Sequence, residues 1–169
     1  MSMAHRVENP KIRYAVKSIL RANIKKDVKQ LEEELEILRQ VDHPNIIKFH
    51  ETYIDHRYVH IVMELAEGGE LFDKIIKSER FSERRAANYM SKILGAIKHL
   101  HDKMVCHRDL KPENFLLSDK SADSEIKLID FGLSKRFGIL EGTLRNLPKK
   151  VDLKTIVGTP YYVAPEVLK

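Results

Sequence analysis

The chain has 169 residues, of which 43% are hydrophobic and 33% are charged, and its formal net charge is +5. The apolar fraction is large enough to form a core, which excludes a wholly disordered chain. A single cysteine, Cys106, excludes an internal disulfide, and no apolar run reaches the roughly 18 residues of a membrane-spanning helix. We therefore expect a cytoplasmic protein without a membrane span.

The excess of basic residues does not predict a nucleic-acid partner. The basic excess lies in residues 1–30 and 133–155, and the basic residues of the first stretch are spread over about thirty positions without interleaved aromatic residues. Proteins that bind single-stranded nucleic acids combine basic grooves with aromatic side chains that stack on the bases. Ser2 stands where an N-myristoylation signal requires glycine, so that anchor is also not predicted.

The first predicted elements are a strand and a helix. Residues 13–19 are β-rich, and Ala15 and Lys17 fall on the same side of this strand because side chains alternate between its faces. Apolar residues then recur at helical spacing over residues 28–38. Pro44 disfavours helical backbone at the residue before it, so the helix is expected to end there.

Two strands and two helices are predicted next. Residues 46–54 and 58–65 have the pattern of an antiparallel hairpin, and residues 70–78 that of a short helix. Ser82 is a suitable N-cap for a long helix, because its hydroxyl can accept a bond from the first turn. The predicted buried face of that helix consists of Ala86, Tyr89, Met90, Ile93, Ile97 and Leu100.

Short strands are predicted at residues 115–117 and 126–129. Between and after them lie acidic and hydroxyl residues with the spacing of a calcium-binding loop, namely Asp119, Ser121, Asp123, Glu125 and Asp130. However, Ser124 stands where such a loop has glycine, and no helices flank the segment. We therefore predict a simple turn between two strands.

The segment His107–Asn114 (HRDLKPEN) carries side chains suited to phosphoryl transfer. The Asp109 carboxylate can orient a hydroxyl group and accept its proton, and the amide oxygen of Asn114 can bind Mg²⁺. Lys111, between them, can neutralise the charge of a moving phosphoryl group. On its own, the segment also fits a capped polar turn.

Two later motifs favour the phosphoryl-transfer interpretation of this segment. Asp130-Phe131-Gly132 follows an apolar strand, which places a carboxylate where it can hold a metal ion, and Ala164-Pro165-Glu166 lies near the end of the chain. Each of these motifs is short enough to occur by chance. Their occurrence in this order after HRDLKPEN is not expected by chance. In this order the motifs resemble those of the protein kinase family, and the resemblance covers essentially the whole chain.

The resemblance implies an α+β, bilobal protein-kinase-like fold. Residues 1–65 would form a partial N-terminal lobe, a small antiparallel sheet that lacks its first strands. Residues 66–169 would form the hinge and a partial helical lobe that ends after the Ala164–Glu166 motif. Because no glycine-rich loop precedes Lys17, we expect a fragment of a catalytic domain.

The resemblance also assigns roles to individual residues. Lys17 would contact the α- and β-phosphates of ATP and pair with Glu34, which precedes Leu38 by one helical turn on the same face. Its neighbours Glu32, Glu33 and Glu36 compete for this pairing but fit a solvated face. Asp109 and Lys111 would act in catalysis, while Asn114 and Asp130 would hold Mg²⁺. The remaining nucleotide-binding residues would be Ala15, Met63, Glu64, Ala66, Glu70, Glu113 and Leu116.

Regulation is expected in the segment that precedes the last motif. In the family, the position of Thr155 is often phosphorylated, and Arg108 would then pair with the phosphate. The segment is longer than usual around residues 136–152. This extra length fits either a disordered loop or a docking or inhibitory one.

The phrases HPNIIKFHETY, MELAEGGELFDKI and VGTPYYVAPEVL resemble the calcium/calmodulin-dependent group, in particular the calcium-dependent protein kinases of plants and protists. This implies a serine/threonine kinase with a calcium sensor domain outside this chain. Glu70 and Glu113 imply protein substrates with basic residues near the phosphosite. The alternative is an inert kinase-like fragment, or a pseudokinase, that acts as a binding module. Retention of Lys17, Asp109 and Asp130 favours an active parent protein.

Overall fold

The structure is a computed structural model that describes residues 1–24, 28–78, 80–121, 123–137 and 157–168. The strands and helices in chain order are β1 (Ser2–Arg6), β2 (Asn9–Leu20), α1 (Arg21–Ile24), α2 (Val28–Gln40), β3 (Phe49–Ile54), β4 (Tyr58–Glu64), α3 (Leu71–Lys77), α4 (Glu83–Asp102), β5 (Val105–Cys106), β6 (Phe115–Leu117), β7 (Ile126–Leu128) and β8 (Lys135–Arg136). This order agrees with the α+β class that the sequence predicted.

A four-stranded antiparallel sheet has the strand order β1-β2-β4-β3. Ala15 of β2 lies opposite Met63 of β4, so two predicted nucleotide-binding residues are neighbours on adjacent strands. On α2, Ile37 and Leu38 belong to the buried core, and the side chain of Glu34 is buried with them. The helix is amphipathic, which explains why one face packs inward while the other stays in water.

The first strand of the predicted hairpin is shorter than expected. It was predicted to begin at Ile46 but begins at Phe49. Asn45 and Ile47 bond instead to β7, where Ile47 donates its amide proton to Leu128 O at 3.0 Å and Leu128 donates to Asn45 O at 2.8 Å. The apolar run therefore serves two partners, and periodicity alone does not separate them.

The long helix α4 begins as predicted, because the Ser82 hydroxyl accepts a hydrogen bond from the Arg85 amide at 3.3 Å. Its buried residues are Tyr89, Ala96 and Leu100. The prediction was wrong for Met90, which is 53% exposed. Met90 lies one position beyond the buried seam, about 100° around the helix axis from Tyr89, so it points away from the core.

The hairpin β6–β7 follows, and the acidic segment between its strands is a turn, as predicted. Asp119 Oδ1 accepts a hydrogen bond from the Ser121 amide at 2.7 Å, and Ser124 Oγ accepts one from the Asp119 amide at 3.0 Å. These side chains stabilise the turn itself. Two predictions, phosphorylation of Thr155 and a long loop within 136–152, fall on residues outside the described part of the chain, apart from Arg136 and Phe137.

The buried core is continuous from the sheet to α4, through Ile37, Met63, Leu100, Leu128 and Phe131. Among the described residues, no helix combines the length and apolar character that crossing a bilayer requires. The predicted lobe boundary between residues 65 and 66 stays a prediction.

Candidate active site

Lys17 lies between two carboxylates. Its Nζ is 2.7 Å from Glu34 Oε1 of α2 and 3.8 Å from Asp130 Oδ1, which follows β7. The Glu34 side chain is only 8% exposed and the Lys17 side chain is 32% exposed, so the ion pair is partly buried. The pairing of Lys17 with Glu34 that the resemblance implied is present. The competing glutamates of the same helix, Glu32, Glu33 and Glu36, are all exposed.

A cavity of about 290 Å³ lies next to this ion pair. Its walls include most of the residues predicted to bind a nucleotide, namely Ala15, Lys17, Glu34, Met63, Glu64, Ala66, Leu116 and Asp130. Leu38, Ile47 and Phe131 extend its apolar lining. Mostly apolar walls with a few charged groups are typical of a pocket for a small-molecule ligand.

Residues 64–66 border this cavity, and an ion pair and hydrogen bonds hold the segment 64–68 in place. Lys127 of β7 lies 2.7 Å from Glu64 Oε1, and the Lys48 amide donates to Glu64 Oε2 at 3.2 Å. The next residues run beside β6, where Glu67 donates to Ser118 O and Gly68 to Leu117 O, both at 2.9 Å. Within the described part of the chain, the backbone amide of Ala66 has no protein acceptor, so it is free to donate to a ligand.

Asp109, Lys111 and Thr159 form a closed hydrogen-bonded group. The Thr159 hydroxyl donates to Asp109 Oδ1 at 2.6 Å and accepts from Lys111 Nζ at 2.8 Å. Lys111 Nζ also lies 2.9 Å from Asp109 Oδ2. Asn114 donates through Nδ2 to Asp109 O at 2.7 Å and to Oδ2 at 3.2 Å. Sequence reasoning placed Asp109, Lys111 and Asn114 here but missed Thr159.

This group keeps Asp109 ionised. Burial alone would raise the pKa of the Asp109 carboxyl, but hydrogen bonds from Thr159, Lys111 and Asn114 outweigh burial and leave the pKa below its usual value. Reciprocally, the hydrogen bond to Asp109 raises the pKa of Lys111. Both side chains are therefore charged at neutral pH, as a proton acceptor and a charge-neutralising cation would be.

His107 packs these groups onto the core. Its ring lies edge-on to Phe131 with the two centroids 5.0 Å apart. The ring donates to Ile129 O at 3.1 Å through Nε2 and accepts from the Asp109 amide at 3.3 Å through Nδ1. Because both nitrogens are engaged in the neutral form, the lowered pKa that burial gives His107 agrees with the geometry.

The backbone is strained at two residues of the site. Arg108 has φ of 65° and Asp130 has φ of 60°, in the left-handed region that residues with a Cβ rarely adopt. Arg108 is held there by a hydrogen bond from its Nε to Leu133 O at 2.7 Å. Its Nη1 is buried and has no partner among the described residues. The predicted partner, Thr155, lies outside them.

Three of the residues predicted to bind the nucleotide or its metal ion do not line the cavity. Asn114 is buried behind Asp109, whereas Glu70 and Glu113 are exposed at the surface. Glu70 precedes α3 and borders a separate, polar cavity of about 390 Å³. The two glutamates are thus available to a molecule that approaches from the solvent.

Comparison with known proteins agrees with this geometry. The profile of the family described as "Protein kinase domain" matches residues 3–169. The chain belongs to the protein kinase domain family. This confirms the resemblance inferred from the motifs, and with it the α+β, bilobal fold class.

Named relatives of this kinase domain come from protists and plants. It is 44% identical to Calcium-dependent protein kinase 3 of Plasmodium yoelii yoelii over 158 residues, which is 94% of this chain and 28% of that protein. It is 45% identical to Calcium-dependent protein kinase 14 of Arabidopsis thaliana over 92% of this chain and 28% of that protein. The identity to Myosin light chain kinase A of Dictyostelium discoideum is 45%, over 94% of this chain and 50% of that protein.

The residues of this kinase domain fit the ATP and divalent metal that the family uses in general. Among the described residues, no three His, Cys, Asp or Glu side chains are arranged to hold a metal ion by themselves. Mg²⁺, however, usually takes one or two protein ligands together with phosphate oxygens and water. Asp130 is half exposed next to Lys17, and Asn114 Oδ1 accepts no hydrogen bond within the described part of the chain.

Proposed function

We propose that this kinase domain belongs to a protein serine/threonine kinase, which transfers the γ-phosphoryl group of ATP to Ser or Thr hydroxyls of proteins. The observation that carries the proposal is the placement of Lys17 between Glu34 and Asp130, in the wall of a mostly apolar cavity. A cation for phosphates and a carboxylate for a metal ion thus lie where the cavity would deliver a nucleotide.

Each residue of the proposed site has one task. Lys17, held by Glu34, binds phosphate oxygens, while Asp130 and Asn114 provide oxygen ligands for Mg²⁺. Bound Mg·ATP supplies the phosphoryl group that is transferred. Asp109 orients the substrate hydroxyl and accepts its proton, and its lowered pKa keeps it ready to do so. Lys111 neutralises charge next to Asp109.

We also propose that the protein substrates carry basic residues near the phosphosite. The exposed carboxylates of Glu70 and Glu113 support this, because neither has an ion-pair partner among the described residues. Opposite charges on enzyme and peptide favour encounter and fix the register of binding.

A third proposal concerns regulation of the whole protein by calcium, and it rests on the names of the relatives. This chain spans less than a third of the length of its calcium-dependent relatives. Its own calcium-like spacing around Asp119 is a turn. Phosphoryl transfer by the full-length protein, measured with calcium and with a calcium chelator, tests the proposal.

The experiment that tests the kinase proposal is transfer of radiolabelled phosphate from Mg·ATP to a peptide by the full-length protein. The substrates are a serine peptide with arginines and a matched peptide with glutamates in their place. We expect transfer to the basic peptide, and a loss of roughly hundredfold or more in Asp109→Asn, which keeps the shape but not the base. Equal transfer to both peptides would contradict the substrate proposal. Transfer that persists in Asp109→Asn would contradict the role of Asp109. No transfer by the wild type would favour the alternative, a binding module.

A further inference from the structure

Helix α2 contacts the Asp130–Gly132 turn through Gln30, which is not among the residues of the proposed site. The side chain of Gln30 donates through Nε2 to the carbonyl oxygen of Gly132 at 2.5 Å. Gln30 lies one helical turn before Glu34, on the same face of the helix. We propose, building on the proposed kinase function, that Gln30 is a positioning residue that holds the Glu34 helix in register with the Asp130 turn.

The position of α2 matters because Lys17 has two carboxylates within reach. With α2 in place, Lys17 Nζ is 2.7 Å from Glu34 and 3.8 Å from Asp130. If α2 moves away, Lys17 keeps only Asp130 as its partner, and this contact competes with the metal ion for the same carboxylate. A bond from the helix to the turn opposes this exchange, since it fixes both carboxylates relative to each other.

The charges around Gly132 explain why the side chain at position 30 is an amide. A Cβ built on Gly132 would lie 3.2 Å from Asp130 Oδ1 and 3.8 Å from Glu34 Oε2, so two negatively charged groups converge on this turn. A third carboxylate would be repelled and cannot donate to the carbonyl. A glutamine donates without adding negative charge.

A second contact ties the other end of the helix. The Arg136 guanidinium on β8 donates to Gln40 Oε1. Strand β8 pairs with β5, where Arg136 lies opposite Val105, and β5 leads directly into His107. The two ends of α2 are therefore joined to different parts of the site. Gln30 is at the end that lies nearer Asp130, the proposed metal ligand.

The test compares three substitutions on α2, each made in the full-length protein. Gln30→Met removes the donor while keeping an unbranched side chain of similar helix propensity. Gln30→Lys restores a donor on an unbranched chain and serves as the rescue. Lys29→Met is the matched control, because Lys29 is exposed on the same turn and has no hydrogen bond to the described residues.

The first measurement compares the Kd of Mg·ATP with that of adenosine, which has no phosphates. Loss of one hydrogen bond of ordinary strength predicts that Gln30→Met weakens Mg·ATP by roughly three- to tenfold. Adenosine binding stays unchanged, because the Ala66 side of the cavity is not altered. Gln30→Lys recovers most of the Mg·ATP affinity. An equal loss for both ligands would indicate general destabilisation and overturn the proposal, as would no loss for either.

The second measurement, amide hydrogen exchange, does not depend on nucleotide. Residues 129–137 should exchange faster in Gln30→Met than in the wild type and in Lys29→Met, while β3 and β4 keep their rates. Unchanged exchange in residues 129–137 would overturn the proposal. If the wild type binds neither ligand, the kinase proposal fails, yet exchange still decides whether Gln30 holds the turn.

Discussion

Thr159 lies 50 positions along the chain from Asp109, yet its hydroxyl group donates to the Asp109 carboxylate at 2.6 Å. The same hydroxyl accepts from Lys111 at 2.8 Å, so one side chain orients both members of the pair. A neighbouring contact supports this arrangement: a Cβ on Gly158 would lie 3.1 Å from Arg108 O, which shows how closely the two segments pack. Thr159 therefore positions the proposed base.

Replacing Thr159 with valine tests this role. Thr159→Val keeps the branched shape but removes a hydrogen bond to a charged group, which is worth about 1.5–3 kcal/mol. We expect kcat for peptide phosphorylation to fall by roughly ten- to hundredfold. KM for ATP should not change, because Thr159 does not line the nucleotide cavity. Thr159→Ser retains the hydroxyl and should keep most of the activity. A raised KM with normal kcat would contradict the positioning of Asp109.

Residues in local motifs were predictable from the sequence, whereas Thr159 was not. The positions of Lys17, Asp109 and Asn114 follow from short motifs, and that of Glu34 from the family pattern before Leu38. Nothing local indicates which hydroxyl returns to Asp109 from a distant segment. A long-range hydrogen bond depends on the completed fold, so only the structure identifies it.

At the level of elements, Asn45 joins the loop after α2 to the β6–β7 hairpin. Its buried side chain donates through Nδ2 to Glu125 Oε2 and to Ile126 O, both at 3.0 Å. Its own carbonyl accepts from Leu128 at 2.8 Å. Strand β7 leads to Asp130, so this loop fixes the strand that carries the proposed metal ligand.

We expect Asn45→Ala to lower the free energy of unfolding by about 2–3 kcal/mol. The substitution removes two hydrogen bonds and leaves the Ile126 carbonyl buried without its donor. Urea denaturation followed by circular dichroism measures the change. Asp42→Ala is the control in the same loop, because Asp42 is exposed and makes no hydrogen bond to the described residues. A similar loss in both variants would indicate that the loop, not the amide, is responsible.

The strands and helices that the sequence predicted wrongly also depend on contacts with residues remote in the chain. The pattern of residues 46–54 is continuous, and it predicted one strand from Ile46. The structure divides it, because Asn45, Ile46 and Ile47 pair with β7, and contact with β4 begins only at Lys48, whose carbonyl accepts from the Glu64 amide. Met90 was predicted to lie in the core because it is apolar, but α4 buries only one narrow stripe of residues, and Met90 lies outside it. In each case the partner that decides the outcome is remote in sequence.

At the level of the whole molecule, burial of histidines links stability to pH. Burial lowers the pKa of His43, His99 and His107 from the ordinary value of 6.5. His43 and His99 also face each other, with ring centroids 5.3 Å apart, so protonation of one disfavours protonation of the other. The residues that carry the remaining nearby charges are Asp42, Asp102, Lys103 and Lys127 around this pair, and Asp109, Lys111 and Asp130 around His107.

The sign of the pH effect follows from these directions. The unfolded chain binds protons below pH 6.5 more readily than the folded chain does, so the free energy of unfolding falls as pH drops below 6.5. We expect a lower Tm at pH 5.5 than at pH 7.5. His99→Phe keeps a ring but cannot be protonated, so its decrease in Tm should be smaller. His5→Gln, at an exposed position on β1, should show the full decrease. A constant Tm across this range would contradict the role of these histidine rings.

The left-handed backbone at Arg108 and Asp130 has a consequence for how this domain tolerates change. Such a conformation costs about 1–2 kcal/mol at a residue with a Cβ, and glycine would adopt it without that cost. Glycine, however, has neither the carboxylate proposed to hold the metal ion nor the guanidinium that bonds Leu133 O. Selection for stability and selection for activity therefore favour different residues at these two positions, and the cleft remains a locally strained part of an otherwise well-packed fold.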